Sequence, residues 1–183
     1  MLKIILPETD CWNDSKQEFF TYPGNTVLLE HSLLAISRWE TKYHKPFLDR
    51  KEKTEEELLF YIRCMSLDDL LEEEDSIMIA NSQDNLRKIK EYLDDPATAT
   101  TVKKKPSGAP PSSSFVTSEL IYYWMVSLQI PFECEKWNLN RLIKLIEVCD
   151  AKNTPAKKMS RSDLMARHRS TNAARRAKHA KKH

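Results

Sequence analysis

The last 32 residues set the first limit on what this chain can fold into. From Lys152 to His183 there are eleven Lys and Arg, one acid (Asp163), and few large apolar groups, chiefly Met159, Leu164 and Met165. So little apolar surface cannot offset the entropy of ordering the segment into a core. The core must therefore come from residues 1–151, which hold 18 basic and 26 acidic side chains. The formal net charge of +2 is thus the sum of an acidic body near −8 and a basic tail near +10. A split of this kind asks what each part binds.

A second interruption lies inside the body. Residues 96–114, PATATTVKKKPSGAPPSSS, contain four prolines, one glycine and four serines. That composition cannot join a packed core and reads as a mobile loop. The expected organisation is residues 1–95 with strands and helices, a Pro/Ser-rich loop over 96–116, a helical hairpin over 117–151 completing the same core, and a basic tail over 152–183. The tail is expected to be disordered, or helical only conditionally, because isolated helices are marginal in water.

Residues 2–6 and 18–29 carry the β-branched and aromatic character of strands, with turn signals at Asn13-Asp14 and Pro23-Gly24-Asn25. They predict a small N-terminal β-meander of two or three strands. The period then changes to three and four residues: Leu33, Ile36, Trp39 and Tyr43 predict one helix over about 30–43. Thr54 with Glu57 forms a capping box for a helix that points Leu58, Leu59, Tyr61, Ile62 and Met65 inward. The acidic run Asp68–Asp75 reads as a loop or short exposed helix. Ser82 caps a helix to Leu93 that buries Leu86, Ile89 and Leu93. Thr117 or Ser118 caps an almost wholly apolar helix, read as the central buried one, and Asn138 caps the next. The fold class expected is α+β, mainly α-helical: the meander on a bundle of four to five helices.

The residues exclude several functions. Two glycines, Gly24 and Gly108, cannot make a phosphate-cradling loop. No run approaches the roughly 18–20 apolar residues of a membrane span, and MLKIILPETD meets acids too early for a signal peptide. Cys11, Cys64, Cys134 and Cys149 show no CxxC spacing and no nearby His pair, so no zinc site is expected, and a reducing, cytoplasmic setting is. A nucleophilic pair of Cys64 with His31 or His44 lacks any surrounding signature. No catalytic residue, metal or cofactor is expected.

Aromatic side chains exceed what one core stripe needs. Trp39 and Tyr43 share a face with Ile36, which favours core, whereas Tyr122, Tyr123 and Trp124 span more than half a helix circumference, so at least one faces a partner or a second copy. Trp39, Tyr43, Tyr122, Tyr123 and Trp124 are the candidate protein-binding residues. In the tail, Lys157, Lys158, Arg161, Arg167, Arg169, Arg175, Arg176 and Lys178 could neutralise nucleic-acid phosphates or bind an acidic protein. The absence of interleaved aromatics disfavours stacking on single strands.

The run LEHSLLAISRWETKYHKPFL (29–48), the segment TEEELLFYIRCM (54–65) and the stretch SELIYYWMVSLQIPFECEKWNLNRLIKLIEVCDAKN (118–153), followed by Lys157-Lys158-Met159-Ser160, resemble a family of tail assembly chaperone-like proteins encoded in the tail gene clusters of tailed bacteriophages. The resemblance covers most of the chain outside roughly 67–116. It implies a non-enzymatic protein that holds the tape measure protein while the tail forms, in the host cell cytoplasm, with the virion as a second location. The alternatives are a nucleic-acid-associated phage protein working through the tail, or a structural component of tail or connector. The Pro/Ser stretch departs from the family pattern.

Overall fold

Residues 2–13 and 18–29 form a kinked two-stranded ribbon. In the computed structural model, which describes residues 1–13, 17–49, 51–101, 115–153 and 161–180, β1 (Leu2–Leu6) pairs antiparallel with β4 (Asn25–Leu29), and β2 (Thr9–Asn13) with β3 (Glu18–Tyr22). This is not the expected meander: β1 bonds the last strand, and β2 was not expected. Thr9–Asn13 is mostly polar, so no alternation marks it as a strand. The two ladders share one register, and extending it across the gap sets Pro7 opposite Gly24 and Glu8 opposite Pro23. The prolines lack the N–H donors to continue the ladder. Gly24 adopts φ +74°, and a Cβ there would lie 2.9 Å from both the Glu8 nitrogen and the Leu6 oxygen, so only glycine lets the strands pass this closely.

The kink also changes which face meets the body. At the base, Ile4, Leu6, Val27 and Leu29 point into the core. Beyond it the opposite face turns inward: Tyr22 is buried, its hydroxyl donating to Asp75, and Cys11 Sγ lies 3.8 Å from Met78 Sδ. Trp12 and Phe19, cross-strand partners packed edge to face at 4.9 Å, are left exposed.

Seven helices among the described residues make the fold α+β with helix dominant. α1 (Leu33–Tyr43) is capped by Ser32, whose Oγ accepts from the Ala35 amide, and ends at His44 in the left-handed region. α2 (Glu55–Cys64) carries the full Thr54–Glu57 capping box. α3 (Glu73–Ala80) starts inside the acidic run, which is therefore not all loop or exposed helix: Asp75 is buried and accepts from Tyr22 and, at 2.7 Å, from Asn25 Nδ2. α4 (Gln83–Asp94) is capped by Ser82, α5 (Ser118–Ser127) by Thr117, and α6 spans Leu139–Asn153. Two side chains expected inside, Leu58 and Leu86, are exposed, and Glu57 takes the buried place on α2.

Residues Met1–Ala151 form one unit with one core, to which Leu33, Ile36, Trp39, Met65, Ile79, Ile121, Met125 and Leu142 contribute. Its hub is α1, which packs on α2, α5 and the short 3-10 helix Phe132–Lys136. That corrects the expectation that the helix after Thr117 is the central buried one: α5 packs mainly on α1, and is buried only at Ser118, Ile121 and Met125. The second unit, Lys152–His183, contains α7 (Arg161–Ala180). Asp14 of the expected first turn and most of the Pro/Ser stretch, 102–114, lie outside the described residues.

Candidate functional site

A groove opens beside α5 because that helix is apolar on more sides than the core can cover. Ile121 and Met125, four residues apart, face inward. Tyr122 is half-buried and its hydroxyl donates to Glu135 Oε2 at 2.7 Å. Burial, reinforced by that carboxylate, keeps this phenol protonated well above the usual range. The next residues cannot share either environment: Tyr123 is 65% exposed and Val126 60%, while Trp124 and Leu128 are half-buried. Tyr123, Trp124 and Leu128, together with Leu48, Val116, Ser127, Ile143 and Ile146, line a hollow of about 670 Å³, closed on the α6 side by the carboxylates Glu147 and Asp150. Lys144 pairs with Glu147 at 2.6 Å.

The groove walls are held by one buried carboxylate. Glu40 on α1 accepts from the Phe47 amide at 2.7 Å, next to Leu48, and from the Ser118 amide at 2.7 Å and hydroxyl at 2.5 Å, two residues from Val116. Carboxylate acceptors make the stronger hydrogen bonds of folded proteins. Glu40 thereby sets both the loop after α1 and the first turn of α5.

The five aromatic residues singled out in the sequence do not make one surface. Trp39 is 1% exposed, its Nε1 donating to the Glu57 carbonyl at 2.9 Å and its ring packed on Tyr43 and Phe47. Tyr43 is half-buried against Phe60 at 5.7 Å. Spacing placed both with Ile36, and the core claimed that face. Tyr123 and Trp124 line the groove, whereas Tyr122 tilts toward Phe132 on its far side. A second aromatic contact, the exposed pair Trp12 and Phe19 at the ribbon tip, escaped sequence reasoning. Its one signal was aromatic residues on both sides of the Asn13-Asp14 turn.

Of the tail cations, Arg161, Arg167, Arg169, Arg175 and Arg176 are exposed on α7. Lys178 belongs to the same helix, with its side chain outside the described set, and Lys157 and Lys158 lie outside the described residues.

The candidate nucleophile and one candidate base, His31, are both sequestered, while the other, His44, is exposed at the end of α1. Burial pushes the Cys64 thiol up to about 12, so it is not a thiolate at neutral pH. His31 is buried and its Nδ1 lies 2.5 Å from the Tyr61 hydroxyl. Burial lowers its pKa to about 4, against a smaller opposing pull from Glu30. A base whose folded pKa is depressed stabilises the fold fully above its unfolded value near 6.5 and loses that contribution as pH falls toward 4. Urea midpoints should therefore drop between pH 7 and pH 4.5, with up to about 3 kcal/mol at stake, and His31→Gln should flatten this window. Glu57 and Asp84, held low chiefly by hydrogen bonds from Lys45 and Lys88, act only at lower pH.

Among the described residues no group of three His, Cys, Asp or Glu could hold a metal ion, and no helix is long and apolar enough to cross a membrane. Comparison with protein-family models, curated proteins and solved structures gives no match.

Proposed function

We propose that this chain is a non-enzymatic assembly chaperone of a phage tail that holds a helical segment of the tape measure protein in the α5–α6 groove. The observation that carries the reading is the groove itself: a hollow of about 670 Å³ walled by Tyr123, Trp124, Leu128, Ile143 and Ile146. Amphipathic helices dock in such grooves through apolar anchors at three- and four-residue spacing. Half-exposed aromatics are the usual anchors of the receiving surface. The client and the setting, a host cell assembling tails, rest on the family resemblance of residues 29–48, 54–65 and 118–153.

The test is binding of purified full-length chain to overlapping tape measure segments, followed by isothermal calorimetry. Tyr123→Asp, at an exposed position, should reduce affinity by about tenfold or more with the thermal midpoint unchanged. Undiminished binding by that variant would move the site elsewhere, and no binding by the wild type would remove the reading. Wild-type chain present in purified virions at a fixed stoichiometry would favour a structural component instead.

A further inference from the structure

α7 does not spread its cations evenly. At 3.6 residues per turn, Arg161, His168, Arg169, Asn172, Arg175 and Arg176 fall within about 120° of the helix circumference, and Arg167 lies on the other side. All six are exposed. From Arg161 to Arg176 the stripe runs about 22 Å, and the only large apolar group within it is Met165.

We infer that this stripe docks on the phosphate backbone of B-form duplex DNA, without regard to sequence. Four arginines along one face match a repeating row of single negative charges, and arginine holds phosphate oxygens bidentately. An acidic protein would offer the same charge, but a stable protein interface also needs apolar anchors at its centre, and this face has none beyond Met165. Unpaired strands are recognised by aromatic stacking, and residues 152–183 contain no Phe, Tyr or Trp. A helix about 10–12 Å across fits the major groove of B-DNA, about 12 Å wide, and not the deep, narrow one of A-form RNA. The inference concerns α7 alone, so it stands or falls separately from client binding in the α5–α6 groove.

The experiment is fluorescence anisotropy of a labelled 24-base-pair DNA duplex of mixed sequence, titrated with full-length chain from 30 to 200 mM KCl. Four phosphate contacts predict a slope of log K against log salt of about −3 to −4. Arg169→Ala with Arg176→Ala should remove about two units of that slope and at least about tenfold of the affinity at 50 mM KCl. Arg167→Ala, on the other face, should change affinity by less than about threefold. Arginine-to-alanine changes keep helix propensity high, so loss of binding would not come from unfolding, and far-ultraviolet circular dichroism checks this. The inference is overturned if the wild type fails to bind at 30 mM KCl, or if Arg167→Ala is as damaging as Arg169→Ala. It is equally overturned if single-stranded DNA, duplex RNA or polyglutamate of equal charge competes as well as the duplex.

Discussion

Trp39→Ala should lower the stability of the body by about 3–5 kcal/mol, read as a shift of the urea unfolding midpoint. The indole is 1% exposed and bonded through Nε1 to the Glu57 carbonyl. Its loss removes contacts with Tyr43 and Phe47, and the stack of Phe47 on Tyr61 at 4.1 Å loses its support. Domains of this kind have only about 5–15 kcal/mol in reserve, so the variant would sit near the edge of folding. Tyr123, by contrast, can be changed within about 0.5 kcal/mol because its ring is mostly in water. The pair separates two kinds of aromatic residue that share a sequence signature: a Trp39 variant loses binding by unfolding, and a Tyr123 variant loses it while folded. A Trp39→Ala protein with wild-type stability would refute the core assignment.

Glu40→Ala should cost about 3–5 kcal/mol, because it strands the buried amide of Ser118 and leaves the Phe47 amide and Ser118 hydroxyl without their acceptor. Glu40→Gln should recover about half, since an amide keeps one oxygen acceptor and turns its NH₂ toward a donor. The two substitutions also bear on the groove. Glu40 fixes the chain beside Leu48 with one oxygen and the start of α5 with the other, so Glu40→Gln should weaken client binding even under conditions where it stays folded. Calorimetry at 15 °C, alongside a denaturation curve, checks both effects. Equal stability of Glu40→Gln and wild type would show that the carboxylate charge is dispensable.

Local signals were legible and long-range ones were not. Thr54, Ser82 and Thr117 each bond the backbone three residues on, and a cap acts within one turn, so residue type and spacing suffice to find it. α3 was missed because its first turn is Glu73-Glu74-Asp75. Such a run suits a helix N-terminus and a solvated loop equally, and only the approach of Tyr22 and Asn25 from the ribbon selects the first. The pairing of β1 with β4 spans the whole N-terminal segment and leaves no local mark. On α5 the difficulty was the reverse: with apolar residues nearly all round, periodicity could not say that Ile121 and Met125 would be inside and Tyr123 outside. The groove needed Leu48, Val116 and Ile143 from three separate segments, which no single stretch could announce.

The kink at Pro7 and Gly24 divides the ribbon into two regions under different constraints. Substitutions at Ile4, Leu6, Val27 or Leu29 are felt by the whole body, so that stretch can drift only slowly and in concert with the core. Past the kink, Trp12 and Phe19 pack on each other and stand half or more in solvent, so that pair can be exchanged at far less structural expense. A lineage could rework the tip of this ribbon to suit a changing neighbour while its base stayed as it is.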